Sequence, residues 1–306
     1  MKTQPNQRIM KKTLLTLLIA VFCVGAIAKE TMAQDKPLRI IAIFAHPDDA
    51  ESKMGGTAAL WAEMGHEVKF VSITNGDAGH HEIGGGMLAK IRMAEAQEAA
   101  RRLGVKEYVV LDNHDAELLP HLHIRQQVIR EIRKWNADVV LGLRTNDYHP
   151  DHRYAGVLVM DAAYMVVVPN VTPDTPTLTK NPVFLYMQDR FRFPYPFQHD
   201  IVVGIDKTLQ KKIDGLDAHP SQMYEWLPWV GGRLEEVPTD PAARRAWLAQ
   251  RWERPNVQDV HMPALRKYYG AAASRIRYVE SFEIAEYGHQ PTEDEIRKLF
   301  PMLGNF

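Results

Sequence analysis

The chain has almost no cysteine. Cys23 is the only one in 306 residues, and it lies within an apolar N-terminal segment. Beyond that segment there is no thiol, which excludes disulfides, cysteine-nucleophile catalysis and cysteine-ligated zinc. An excess of one charge sign is also missing. The formal net charge is −1, so no basic surplus argues for nucleic acid and no acidic block argues for a disordered tail. Repeats and low-complexity tracts are absent. The one long apolar run, Leu14–Ile27, is about 14 residues, short of the roughly 20 that a membrane-spanning helix needs.

What precedes and follows that run gives it a meaning. Arg8, Lys11 and Lys12 stand before it. Ala26-Ile27-Ala28 fits a small-x-small cleavage pattern, and Thr31-Met32-Ala33 offers a second site. Residues 1–33 therefore read as a signal peptide. An uncleaved anchor is the alternative. Phe22 before Cys23 is not the small residue that a lipoprotein site requires. The expectation is an exported protein, periplasmic or secreted, with no stable membrane span after cleavage. The remaining chain of about 270 residues permits one large α/β domain or two small ones. One domain over residues 36–306, with an irregular C-terminal extension, is expected.

Strand-like and helix-like stretches alternate along it. Leu38–Phe44 is a continuous apolar run, suited to a strand buried on both faces. Met54–Gly65 reads as a helix, residues 67–73 as a strand, 74–86 as a glycine-rich loop and 88–103 as a helix ended by Gly104. Strands at 108–111, 138–143 and 183–187 alternate with helices at 124–135 and 156–168. Residues 207–218 read as a further helix and 169–182 as a proline- and threonine-rich surface loop. Residues 226–264, rich in Trp, Pro and Arg, show no clear period. The alternation predicts an α/β fold: a Rossmann-like, mostly parallel sheet with helices on both faces. In such sheets the active site lies at the carboxyl ends of the strands.

Two clusters fall at such ends. His46-Pro47-Asp48-Asp49-Ala50-Glu51 follows the first strand, and His149-Pro150-Asp151-His152 follows the fourth. Each alone also fits an ordinary turn or helix cap. Together they suggest one divalent metal site assembled from two loops. Neutral imidazole and carboxylate are normal Zn²⁺ ligands, and three protein ligands leave a position open for chemistry. His46, Asp49 and His152 supply that set, with one Zn²⁺ expected per chain. Asp48 is then the free carboxylate, placed to act as general base on water. His149 is placed to donate to a developing oxyanion or leaving amine. Asp151 is expected to orient His149.

These residues also carry a family likeness. Ala45-His46-Pro47-Asp48-Asp49-Ala50-Glu51, Gly55-Gly56-Thr57 and His149-Pro150-Asp151-His152 resemble the PIG-L/LmbE-like zinc-dependent de-N-acetylases. Thr74–Gly79, Arg92 with Glu95, Asp115 and His219-Pro220-Ser221-Gln222 extend the likeness over roughly residues 38–225. Where some relatives place a tyrosine two residues before the first histidine of the second motif, this chain has Asp147, with Tyr148 next. The resemblance implies removal of an N-acetyl group from an amino sugar or glycoconjugate. It assigns His46, Asp49 and His152 to zinc, Asp48 to the base and His149 to electrostatic support. Two other readings stay open: a metal-dependent hydrolase of another amide or ester, and a non-catalytic carbohydrate-binding protein on the same scaffold.

Further candidates carry two readings each. Arg92 either reaches substrate or is a solvated helix arginine. Asn75 and Asp77 either line the pocket or shape a turn. His219 belongs to the site edge or to the surface. His80 and His81 contact substrate or sit in an exposed loop. Trp226 and Trp229 stack on a sugar or pack locally.

Overall fold

The computed structural model describes residues 36–305. The signal-peptide reading of residues 1–33 lies outside the described residues. Ile40 to Ala45 are fully buried without alternation, as a strand covered on both faces must be. Five strands pair in parallel in the order β3-β2-β1-β4-β5: β1 (Arg39–Phe44), β2 (Glu67–Ser72), β3 (Glu107–Val110), β4 (Val139–Gly142) and β5 (Val183–Met187). Four helices join them: α1 (Asp49–Glu63), α2 (Gly85–Leu103), α3 (Leu122–Trp135) and α4 (Pro150–Met165).

The strand order reverses at β1, which pairs with β2 on one side and β4 on the other. A crevice opens at such a reversal, because the connections on either side depart in opposite directions. The two His/Asp clusters follow β1 and β4. Clusters a hundred residues apart in sequence thus become neighbours because their strands are neighbours.

The sheet continues beyond the parallel part. β6 (Ile201–Gly204) and β7 (Val279–Gly288) complete seven strands in the order β3-β2-β1-β4-β5-β7-β6, with β7 antiparallel to both neighbours. Between them run α5 (Leu209–Asp217), a π-helix (Ser221–Trp226), α6 (Leu227–Val230), α7 (Pro241–Trp252) and α8 (Met262–Tyr269). α9 (Glu293–Leu299) follows β7. Among the described residues, no helix is long and apolar enough to cross a membrane.

Two boundaries differ from expectation in a way that matters. α1 begins at Asp49, not Met54, and its φ of −145° at Met54 marks a kink. α4 begins at Pro150, not Gly156, because proline suits the first turn and His149 caps it by accepting from the Asp151 N–H. Each cluster therefore runs from the loop into the first helical turn, with Asp48 and His149 at the caps. The kink in α1 falls just before Gly55-Gly56. A Cβ on Gly56 would come within 2.8 Å of the Ile205 side chain, so the helix approaches the C-terminal part only because that position is glycine.

Candidate active site

His46 leaves β1 at the crevice, and its Nδ1 lies 3.1 Å from Nε2 of His152. The Asp49 carboxylate faces the same point. Its Oδ1 is 3.4 Å from His152 Nε2 and its Oδ2 3.6 Å from His46 Nδ1. The His46 backbone N–H donates to Asp49 Oδ2 at 2.9 Å, which fixes the carboxylate in the turn. Two imidazole nitrogens and a carboxylate facing each other at 3.1–3.6 Å match the roughly 3.3 Å separation of tetrahedral ligands about 2.0–2.1 Å from a shared zinc.

The far side of each ring supports this arrangement. His46 Nε2 lies 2.9 Å from Asp115 Oδ1 and 3.4 Å from Asp151 Oδ2. His152 Nδ1 lies 3.0 Å from Asp147 Oδ1. A carboxylate on the second ring nitrogen sets the tautomer and raises the basicity of the first, as metal-ligating histidines require. Burial opposes a proton on His46, but Asp115, Asp151 and Asp49 outweigh it and push its pKa well up. The pocket around His46 therefore favours positive charge, and the residues present fit a divalent metal. A second grouping overlaps the first: His46, His149 and His152 present donor atoms within 4.8 Å of one another.

Asp48 is held in an unusual backbone conformation, φ 124° and ψ −21°. For a residue with a Cβ this costs of order 1–3 kcal/mol and persists only where the surroundings enforce it. The enforcing partners are visible. The Asp48 N–H donates to the Tyr108 hydroxyl at 3.2 Å, and that hydroxyl lies 3.4 Å from Glu51. The other oxygen of Glu51 meets Nε2 of the fully buried His219 at 3.1 Å. Burial, then the charge of Asp49, raises the Asp48 carboxyl to about 7, while His219, Arg92 and His46 pull the other way. A carboxylate poised there is matched to proton transfer near neutral pH.

Several expectations need correction. The Asp151 carboxylate does not orient His149. It accepts from the backbone N–H groups of Ala116 (2.8 Å) and Leu118 (3.2 Å) and faces His46. Its link to His149 is through its own backbone N–H, which donates to His149 Nδ1 at 3.2 Å. That contact leaves the proton of a neutral His149 on Nε2. Asn75 and Asp77 shape the loop instead of lining the cleft. Asn75 bonds Asp112 and caps the Asp77 N–H, while Asp77 accepts from Asp115 N–H and meets His114. His219 is neither surface nor cleft wall; it is a fully buried support beneath Asp48. Burial lowers its pKa, and Glu51 more than reverses this.

Arg92 resolves towards the site. It is 2% exposed, donates to the Gly79 carbonyl at 2.5 Å and lines a lobe of about 170 Å³ with Asp115, His149 and Trp226. A second lobe, about 480 Å³, opens on the other side of His46 and Tyr148. Gln222, from the π-helix, borders both lobes, and its buried Oε1 has no hydrogen-bond partner. Trp226 and Trp229 stack at 5.5 Å, and His81 covers Trp229 at 5.2 Å. His80 meets Glu225 at 2.8 Å. These rings close the glycine-rich loop onto the π-helix. Sequence reasoning missed the roles of Asp147, Glu51 and Tyr108. Asp147 and Glu51 carried a signal, the one by its place two residues before His149 and the other by its place in the first motif; Tyr108 carried none.

Residues 41–163 match the family described as PIG-L, GlcNAc-PI de-N-acetylase. A diacetylchitobiose deacetylase of Thermococcus kodakarensis is 29% identical over 198 residues, spanning 62% of this chain and 73% of that protein. A probable N-acetyl-alpha-D-glucosaminyl L-malate deacetylase of Bacillus cereus is 25% identical, spanning 68% and 93%. The solved N,N'-diacetylchitobiose deacetylase from Pyrococcus horikoshii shares the fold, with a TM-score of 0.61, 23% identity and coverage of 93% and 95%. The PIG-L-family match covers residues 41–163, and the relatives it is similar to are deacetylases of N-acetylglucosamine-type compounds.

Proposed function

We propose that this protein is an exported, zinc-dependent N-deacetylase acting on an N-acetylated amino sugar or sugar conjugate. One observation carries the reading. His46 Nδ1 and His152 Nε2 face each other at 3.1 Å beside Asp49, and each ring is backed by a carboxylate. His46, Asp49 and His152 are the residues that hold the metal. When bound, Zn²⁺ supplies Lewis-acid polarisation and lowers the pKa of a coordinated water. The deacetylase relatives support the reaction type.

The chain's own residues do the rest. Asp48, with its carboxyl near 7, accepts the proton of the attacking water. The network of Tyr108, Glu51 and His219 holds its strained backbone in place. His149 presents the Nε2 proton, because its Nδ1 is engaged by Asp151 N–H. That proton faces developing negative charge on the carbonyl oxygen or the departing amine. Arg92, with Nε buried and unpartnered, offers a donor to substrate oxygens in the smaller lobe. Export rests on Arg8, Lys11 and Lys12 ahead of Leu14–Ile27.

Acetate release from N-acetylglucosaminides tests the function. Release should vanish on chelation and return with zinc at one equivalent per chain. Metal content should fall in His46→Ala and His152→Ala but hold in His149→Ala. Turnover surviving complete metal removal would sink the proposal. N-terminal sequencing of protein recovered outside the cytoplasm tests export; an intact Met1 there would refute cleavage.

A further inference from the structure

The larger lobe has an unbalanced wall. Four cations line it, Lys53, Arg190, Lys212 and Arg251. Its carboxylates outside the Asp48-Asp49 pair are all engaged. Glu280 is taken by Lys212 at 2.7 Å and by Thr57 at 2.6 Å. Asp189 accepts from Nε and Nη2 of Arg144, at 2.7 and 2.8 Å. Asp147 is held by His152. Lys212 is therefore neutralised, but among the described residues Lys53, Arg190 and Arg251 form no salt bridge with a carboxylate; Lys53 acts on Asp147 only through longer-range charge. The one hydrogen bond of the Lys53 ammonium goes to the Gln188 carbonyl at 3.2 Å. The Arg251 guanidinium rests 5.7 Å from the centre of the Trp252 ring, which also lines the lobe.

These cations come from three separate elements, α1, the loop after β5 and the end of α7. The loop that carries Arg190 is fixed in place. Buried Arg144 binds Asp189 and the carbonyls of Phe191 and Tyr195, both at 2.8 Å. The loop backbone is pinned while the Arg190 side chain is exposed to the lobe that Lys53 also lines, so an anion entering the lobe meets both cations. The smaller lobe lacks this character, since Arg92 there faces Asp115 and Asp48.

We infer that the substrate carries a carboxylate or phosphate group, seated in the larger lobe between Lys53, Arg190 and Arg251. This rests on the deacetylase reading above. The anion belongs either to the group linked to the sugar or to the acyl chain, and the test separates these sources.

Matched compounds make the test. The first pair is N-acetylglucosamine linked to a short hydroxycarboxylic acid and the methyl ester of the same compound. The second pair is the methyl glycosides of N-succinyl- and N-acetylglucosamine. Acetate or succinate release is measured with wild type and with an Arg190→Gln/Arg251→Gln double variant whose folding is checked by thermal melting. Calorimetric binding of the deacetylated acid and ester is measured beside it, so that no turnover is needed. The acid should be preferred by about tenfold, carried in KM. That preference should shrink with added salt and approach one in the double variant. Preference for the succinyl compound instead would support the anion and place it on the acyl side. Equal turnover and equal binding of both pairs would overturn the inference while leaving the deacetylase intact. Absence of any hydrolysis, with acid-selective binding lost in the double variant, would retain the anion site and sink the deacetylase reading.

Discussion

Residues 39–187 and residues 188–305 build one sheet by different rules. The first part is parallel, with helices returning between strands, and it carries the His/Asp groups proposed to react. The second is antiparallel at its edge and runs through short helices with a π-turn. It supplies supports: His219 under Glu51, Ser221 on Glu95 at 2.6 Å, and Glu280 on Gly56, Thr57 and Lys212. The parallel part therefore places the chemistry, while the antiparallel part holds the first turn of α1 in a conformation it would not keep alone. It also walls the larger lobe.

Variants on either side of that division should behave differently. The largest effect belongs to the parallel part. Asp48→Asn should lower acetate release by about 10²–10⁴-fold, the usual contribution of a general base, with metal content unchanged. Near-wild-type release would remove Asp48 from its role. Next comes Glu280→Ala, in the antiparallel part, which leaves buried Lys212 without its partner. Loss of one member of a buried pair costs about 3–5 kcal/mol, measurable by urea unfolding. If stability held while activity fell, the support role would be wrong.

Gly156→Ala should cost about 1–3 kcal/mol by overpacking, because its Cβ would lie 2.6 Å from the Leu143 carbonyl. It should also lower turnover by shifting α4, which bears His152. Unfolding and rate measured together decide whether the two losses travel together. The smallest effect is in acid. Burial, then His199, lowers His261 to about 4, and Phe197 and Ser281 lie on the far side of His199. The folded protein thus binds this proton less readily than the unfolded chain, whose histidine titrates near 6.5. Stability from this group is full above pH 6.5 and falls as pH drops towards 4. His261→Gln should flatten that limb of a pH–stability curve; an unchanged limb would clear His261.

Much of the parallel part was legible in the sequence. The strands from Leu38–Phe44 to Val183–Met187 showed because burial on both faces demands unbroken apolar runs. His46, Asp48, Asp49 and His152 showed because they follow two of those runs. β7 did not show. It carries Glu280, Glu283 and Glu286, two of them buried, and they are tolerable only through partners such as Lys212, Thr57 and Tyr195 from elsewhere. No local pattern announces partners 68, 88 or 223 residues away. Asp151 was misread for a similar reason. Its nearness to His149 in sequence hid a carboxylate that turns towards His46 and the loop at 116–118.

The sequence by itself determined the alternation of strand and helix, the absence of thiol chemistry, and the two motifs that supply nitrogen and oxygen donors. Local forces set all of these: apolar periodicity, turn residues and side-chain chemistry. Only the tertiary structure decided that β1 and β4 lie side by side, so that His46 and His152 meet. It alone decided which carboxylate backs which imidazole, that Asp48 is buried and strained, and that Lys53, Arg190 and Arg251 line one lobe without a salt bridge among the described residues. Those depend on contacts between distant segments, where burial and charge are fixed by neighbours the local sequence does not contain.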